Sequence, residues 1–253
     1  MSTLSGRTCL ITGASSGFGA HFARITAAAG ARVALAARRK ERIEALAEEL
    51  RAGGTEAVAV AMDVTDEASV IAAFDAAEAA LGPVDTVIAN AGVSSPGRAT
   101  EVPAEAMATL LNTNVLGVFL TAREGAKRMM AAGSRDNGRG RILLIGSMGA
   151  ETPVKGEVMY CASKAAVARM GRNLAGEWVR SGVNVNVLQP GFILTELADD
   201  WFGSEAGKAQ IATFPRKRMQ PIESLDPMVL YLCSDASSAM TGSVITIDDG
   251  HSL

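Results

Sequence analysis

Aromatic side chains are scarce in this chain. Phe, Trp and Tyr make up 4% of its 253 residues, and only two are tyrosines. Histidine is equally rare, at His21 and His251. The three cysteines, Cys9, Cys161 and Cys233, are scattered and odd in number, with no pair at metal-ligand spacing. That usage argues against a disulfide framework and for reduced thiols in a cytoplasmic protein. Cys9 and Cys233 read as small apolar filler. Neither sign of charge dominates: 24 Lys and Arg against 27 Asp and Glu leave −3, which gives no support for a nucleic-acid partner. No apolar run approaches a membrane span, and Met1 to Arg7 lacks the apolar core of a signal peptide. There is no interdomain linker, repeat or low-complexity stretch beyond alanine-rich helices.

What is present is a repeating alternation. Hydrophobic residues are 48% and charged residues 20%, enough to bury a large core without disulfides. Short apolar runs at 8–12, 33–36, 57–60, 86–89, 141–145, 183–188 and 244–247 read as strands. Between them, His21 to Ala29, Glu41 to Leu50, Glu67 to Leu81 and Asn112 to Met130 carry helical spacing, and Gly82-Pro83 stops the third. Arg135 to Gly140 reads as a polar loop. The alternation predicts an α/β fold: a single-domain, Rossmann-type, doubly wound parallel sheet of about seven strands with helices on both faces.

Two local patterns carry chemistry. Gly13-Ala14-Ser15-Ser16-Gly17-Phe18-Gly19 follows the first strand and precedes a helix. Glycines let a backbone turn sharply and approach a pyrophosphate, and a helix N-terminus offers it free N–H groups. One of the two tyrosines, Tyr160, stands four residues before Lys164. On a helix that spacing puts an ammonium beside a phenol, and a nearby cation favours the phenolate and lowers its pKa. Ser147 lies thirteen residues upstream, just past a strand. Neither histidine is a convincing acid/base candidate.

Together these patterns resemble the classical short-chain dehydrogenase/reductase family, over Leu4 to Gly250. Thr12 to Gly19 is similar to its coenzyme turn, Asn90-Ala91-Gly92 to its motif after the fourth strand, and Asn114, Ser147, Tyr160 and Lys164 to its catalytic tetrad in order and spacing. Pro190-Gly191 with Thr195 resembles the segment that meets the nicotinamide. Two departures stand out: Ala89 replaces a common second Asn, and Asp248-Asp249-Gly250 replaces Asp-Gly-Gly. The resemblance implies one NAD(P)-binding domain over 1–253, with a coenzyme part at about 1–145, a catalytic part at about 146–253 and a lid at about 191–221. It implies a dehydrogenase in which Tyr160 exchanges a proton with the substrate oxygen. Lys164 lowers the Tyr160 pKa and holds the ribose, Ser147 bonds the substrate oxygen, and Asn114 keeps a relay water. The implied coenzyme contacts are Gly13, Ser15, Ser16, Gly17, Phe18, Gly19, Asp63, Val64, Asn90, Gly92, Tyr160, Lys164, Pro190, Gly191, Ile193 and Thr195.

The second strand ends at Ala37, then Arg38, Arg39 and Lys40, with no acid to bond a ribose 2′-hydroxyl. A guanidinium pairs with phosphate, so NADP(H) is favoured over NAD(H) and Arg38 and Arg39 join the coenzyme contacts. The other reading is a solvated basic turn. Asp63 either accepts from the adenine amino group or opens the next helix. Phe192, Trp201, Phe202 and Phe214, with Ile193, Leu194, Leu197 and Ile211, concentrate in the lid. They either face an apolar carbonyl or alcohol substrate or pack on the protein; Met148, Glu151, Val154 and Met159 are candidates for the opposite wall.

Two alternatives remain open. A 3-oxoacyl-[acyl-carrier-protein] reductase needs a basic docking face, which Arg123, Lys127, Arg128, Arg169 and Arg172 could supply. Leu174-Ala175-Gly176-Glu177 departs from the Leu-Ala-Arg-Glu common in that enzyme. A non-catalytic dinucleotide sensor usually loses the Tyr or the Lys, and both are present. A homotetramer or homodimer is expected, joined through the 112–130 and 160–180 helices.

Overall fold

The computed structural model describes residues 3–195 and 199–253. Its strands are β1 (Thr8–Thr12), β2 (Arg32–Ala37), β3 (Ala57–Ala61), β4 (Thr86–Ala89), β5 (Gly140–Ile145), β6 (Val183–Pro190) and β7 (Val244–Ile247). The helices are α1 (Gly17–Ala28), α2 (Lys40–Ala52), α3 (Glu67–Leu81), α4 (Ala104–Leu111), α5 (Val118–Ala131), α6 (Ser134–Asn137), α7 (Val158–Trp178), α8 (Asp199–Gly203), α9 (Glu205–Thr213) and α10 (Asp226–Cys233). The strands form one parallel sheet in the order β3-β2-β1-β4-β5-β6-β7.

Helices cover both faces, so the central strands are buried throughout and read as continuous apolar runs. On one face Phe74 of α3, Met129 of α5 and Val167 and Trp178 of α7 pack on Val87, Leu144 and Val185. On the other, Phe22 of α1, Ile43 of α2 and Leu232 of α10 pack on Ile11, Leu35 and Ile88. Cys9 and Cys233 are buried filler in that second core. β1 pairs with β2 on one side and β4 on the other. The chain winds in opposite directions from that point, so the connections above β1 and β4 diverge and leave a crevice at the strands' carboxyl ends.

Three sequence expectations need correction. The first helix begins at Gly17, inside the glycine turn, not at His21. Low glycine propensity hides that start, because tertiary packing decides it. The long helix starts at Ala104 rather than Asn112, and residues Asn112–Gly117 form a π-turn between α4 and α5. Such a wide turn inserts an extra residue without breaking apolar periodicity, so pattern alone does not reveal it. Residues 135–137 of the expected polar loop belong to a single helical turn, Ser134–Asn137, and Gly140 already belongs to β5.

At the opposite end of the sheet from the crevice, Arg7 is 1% exposed. Its guanidinium donates to Thr86 Oγ1 and the Arg139 carbonyl, each at 3.0 Å, and to Asp235 at 2.5 Å. It joins the start of β1 to β4, β5 and the segment after α10. Removing it strands the partners that remain. We expect Arg7→Ala to destabilise the fold by about 3 kcal/mol, the low end for a broken buried pair because Asp235 is largely exposed. Urea unfolding checks this; a change under about 1 kcal/mol contradicts it.

Candidate active site

The crevice between the β1 and β4 ends opens into a cleft of about 400 Å³. Gly13, Ser15, Ser16, Gly17, Phe18, Arg38, Arg39, Asp63, Val64, Asn90, Gly92, Tyr160, Lys164 and Thr195 line it. Sequence reasoning missed Ala36, Met62, Val93, Thr113, Ile145 and Gly146, which complete its wall. All but Thr113 are small or apolar residues marked only by their position at or just past strand ends, and Thr113 sits in the π-turn.

The turn above β1 has the shape of a pyrophosphate cradle. Gly13 and Gly17 have φ of 69° and 50°, where a side chain is strained. A Cβ on Gly19 would stand 2.3 Å from the Gly13 carbonyl oxygen, so α1 approaches the turn as only glycine allows. Ser16 caps α1 with no side-chain bond, and the first turn holds no acid. The helix therefore presents its positive end and free N–H groups uncompensated to the cleft. Arg39 reaches across from the end of β2, donating to Ser15 Oγ at 3.0 Å and Ser16 Oγ at 2.5 Å. Arg38 is exposed beside it, and its charge helps hold the Asp63 carboxyl low, after bonds from the Thr65 amide and hydroxyl. These features fit a dinucleotide that carries phosphate near the β2 end.

Asn90 locks the two halves of the crevice together. Its amide donates to the Thr12 carbonyl at 2.9 Å, while Thr12 Oγ1 accepts from the Asn90 and Ala91 amides at 3.0 and 3.1 Å. Ala89, where many relatives have a second Asn, is simply buried in the core. Asn114 sits in the π-turn, wholly buried. It donates to the Val93 carbonyl at 2.9 Å and Ser163 Oγ at 3.1 Å, and accepts from the Val93 amide at 2.8 Å. Both donors of its amide are thereby spent, and only one acceptor lone pair remains for the expected relay water.

Tyr160 and Lys164 meet at one end of the cleft, with Nζ 5.6 Å from the tyrosine ring centre. The expected lowering of the Tyr160 pKa does not occur in this arrangement. Burial pushes the phenol up to about 12, against the pull of the neighbouring Ser147 hydroxyl. Burial also pushes Lys164 down to about 8. The ammonium donates instead to the Ile145 carbonyl at 2.9 Å. Lys164 has left water and Tyr160, which lines the cleft, is only partly exposed; for both, desolvation outweighs their mutual help. Ser147 Oγ caps the short turn after β5, accepting from the Gly149 amide at 3.1 Å.

Four expected coenzyme residues do not line this cleft. Gly19 is buried under the turn, and Pro190 closes β6. Gly191 packs against Asp248 and His251, and Ile193 belongs to the apolar core. The lid aromatics also turn inward. Phe192 stacks on Phe214 with ring centres 5.0 Å apart and meets Phe202 edge-on at 5.7 Å. His251 completes this cluster: Nδ1 accepts from the Phe192 amide at 3.0 Å, so Nε2–H points to the Arg218 carbonyl. Trp201 and Leu194 are exposed, Met148 is buried, and Leu197 lies outside the described residues. Asp249, in the place of a glycine, has φ 57° and ion-pairs with Arg216 and Arg218. His21 pairs with Asp226 between α1 and α10.

The comparisons with known proteins agree with this geometry. The short chain dehydrogenase family model matches residues 7–206. D-threitol dehydrogenase of Mycolicibacterium smegmatis is 35% identical over 250 residues, covering 99% of this chain and 94% of its own. Gluconate 5-dehydrogenase of Gluconobacter oxydans is 33% identical, covering 98% and 95%. Among solved structures, a gluconate 5-dehydrogenase from Burkholderia cenocepacia in complex with NADP and tartrate superposes with a TM-score of 0.91 at 31% identity, covering 98% and 95%. The chain belongs to the short-chain dehydrogenase family. It is an oxidoreductase of the CH–OH/C=O class. Several similar solved structures are NADP complexes.

The buried lysine has a thermodynamic signature. Between about pH 8 and the ordinary value of 10.5 the unfolded chain carries more protons than the native one. The Lys164 contribution to native stability therefore rises with pH across that window, opposed by the raised thiols of Cys9, Cys161 and Cys233 above their ordinary value of 9.0 and by the raised Tyr160 phenol above its ordinary value of 10. Relative to Lys164→Met, the native chain should gain about 2–3 kcal/mol from pH 8 to pH 10. Urea unfolding of both proteins across that range is the measurement, and a flat difference contradicts the burial argument.

Proposed function

We propose that this chain is an NADP(H)-dependent oxidoreductase that interconverts a ketone and a secondary alcohol; the lid phenylalanines behind the expectation of an apolar or bulky carbonyl pack on one another instead. The observation that carries the reading is the juxtaposition in one cleft of the Tyr160–Lys164 pair and the Arg39-braced glycine turn. The relatives named for D-threitol and gluconate support an alcohol substrate. NADP(H), when bound, supplies or accepts the hydride.

The chain's own residues handle the proton. With its pKa raised to about 12, Tyr160 is a neutral phenol at pH 7 and donates its proton to the substrate oxygen in the reductive direction. In oxidation the acceptor is the phenolate, the form left by that transfer, which takes the proton from the substrate hydroxyl. The Ser147 hydroxyl, beside Tyr160, bonds the same oxygen as negative charge develops. Lys164 is held for the ribose hydroxyls by the wall of Ile145, Gly92 and Asn114. Asn114 acts as a positioning residue that holds Val93 and the π-turn. Ser15, Ser16, Gly17 and Phe18 take the pyrophosphate, Asp63 and Val64 the adenine, Asn90 and Gly92 the adjoining ribose, and Thr195, packed near Gly17, the nicotinamide side.

The carrier-protein alternative loses support from charge. Arg128 is held by Asp75, Glu78 and Glu124, Lys127 faces Glu124, and Arg123 pairs with Glu67, which leaves Arg169 and Arg172 as exposed basic groups on α7. We further read the chain as a cytoplasmic homotetramer or homodimer. Leu111 and Leu116 beside α5 and Val158 and Val179 at the ends of α7 are exposed on the helices expected to meet. Among the described residues no helix is long and apolar enough to cross a membrane.

Tyr160→Phe should lower turnover by roughly 10²–10⁴-fold while leaving coenzyme affinity nearly intact, since only the proton-donating hydroxyl is lost. Steady-state rates and coenzyme titration test this, and a variant as active as the native chain removes the mechanism. Arg38→Ala and Arg39→Ala should each lower the ratio of kcat/KM for NADPH over NADH by about ten- to a hundredfold, the value of a charge-assisted bond to a 2′-phosphate. An unchanged ratio in both variants overturns the coenzyme assignment.

A further inference from the structure

Glu157 lies one helical turn before Tyr160, and the proton transfer described above does not use it. It is half-buried, a costly place for a carboxylate without a cation. Its polar side-chain partner is the Ser94 hydroxyl, 2.7 Å from both carboxylate oxygens. A hydroxyl donates one proton, while a carboxylate offers about four acceptor sites, so most of the Glu157 capacity is unspent. Burial lifts the Glu157 carboxyl above its ordinary pKa, partly opposed by Ser94.

The pair joins the two walls of the site at the Tyr160 end. Ser94 follows Val93, which lines the cleft, and the Gly97 amide donates to the Gly156 carbonyl at 2.9 Å beside it. The negative charge of Glu157 is also felt at Tyr160. Glu157 stands at the N-cap of α7 three residues before Tyr160, the spacing that puts two side chains on one helix face, so a carbonyl presented to Tyr160 and Ser147 has its neighbouring carbon on the side of an underused acceptor. The phenylalanines expected to supply an apolar wall are packed on one another and His251.

We propose that Glu157, held by Ser94, accepts a hydrogen bond from a hydroxyl on the carbon next to the reacting one, so that hydroxyketones and vicinal diols are preferred over unsubstituted ketones. This rests on the ketone–alcohol reading above and narrows its substrate class.

The test compares 2-butanone with 1-hydroxy-2-butanone and 3-hydroxy-2-butanone, with NADPH, in the native chain, Glu157→Leu, Glu157→Gln and Ser94→Ala. The readout is the ratio of kcat/KM for hydroxyketone over ketone. Both substrates take the same proton, so any effect of Glu157 on Tyr160 cancels in the ratio. The native ratio should be about tenfold or more for at least one hydroxyketone, the value of one hydrogen bond to a charged group. Glu157→Leu should bring it close to one, chiefly through KM, and Glu157→Gln should fall between, because its amide oxygen still accepts. Ser94→Ala should lower the ratio by less than Glu157→Leu. A native ratio near one, or a ratio unchanged in folded Glu157→Leu or Glu157→Gln, overturns the inference alone. A native chain that reduces none of the three overturns the ketone–alcohol reading, and the inference with it.

Discussion

The rest of the site depends on an ammonium taken out of water. Lys164 is 4% exposed and rests on the Ile145 carbonyl, with Gly92 and the Asn114 side chain close around it. Such a group persists only where the surroundings are rigid enough to prevent water from following it and polar enough to bond it. Each neighbour is accordingly tied down. Asn114 is bonded on three sides, Val93 is held through both backbone groups, and the Ser163 hydroxyl donates to the Tyr160 carbonyl at 2.7 Å. The π-turn that carries Asn114 is part of the same arrangement, because it sets the amide across from α7 rather than into solvent.

That rigidity continues outward into the sheet. Thr12 at the end of β1 and Asn90 just past β4 share three hydrogen bonds, so the two strands that flank the crevice cannot separate to admit a ligand. The cleft is preformed, and specificity is decided by the chemistry of its rim. At one end the rim is cationic, with Arg38 and Arg39 beside a bare helix N-terminus. Beyond the Tyr160 end, Glu157 and Ser94 form an acidic, hydroxylated pair. The proposed phosphate-bearing coenzyme would meet the cationic end by charge, and the proposed hydroxyl-bearing substrate the acidic end as a hydrogen-bond donor.

The lid and the C-terminus form a second, looser unit. Phe192, Phe202, Phe214 and His251 make a small aromatic cluster apart from the main sheet cores. Asp249 adopts a left-handed backbone where glycine is more common, and its carboxylate meets Arg216 and Arg218. Those ion pairs are exposed on the arginine side and contribute little to stability. They nevertheless join the end of the chain to the lid, which puts the departure from Asp-Gly-Gly at that junction rather than among the catalytic residues.

Strand positions, the parallel fold and the chemical groups of the site are all legible in the sequence, since apolar runs of fixed length, a glycine turn after the first of them and Tyr160 with Lys164 are local signals. β1, β4, β7 and α3 lie where spacing places them. What local signals do not carry is the outcome of competition between burial and charge. A cation four residues from a phenol argues for a lowered pKa, yet in the folded chain Lys164 is buried and Tyr160 partly so, and desolvation moves them apart to about 8 and 12. Lid aromatics argue for an apolar pocket, yet they pack on themselves. Ile193 follows a motif that meets coenzyme, yet it is core. The Ser94–Glu157 contact spans 63 residues and leaves no pattern at all. The sequence by itself determined which groups are available and on which elements they ride. Only the tertiary structure decided which of them share a solvent-poor space, because desolvation depends on everything that surrounds a group and not on its neighbours along the chain.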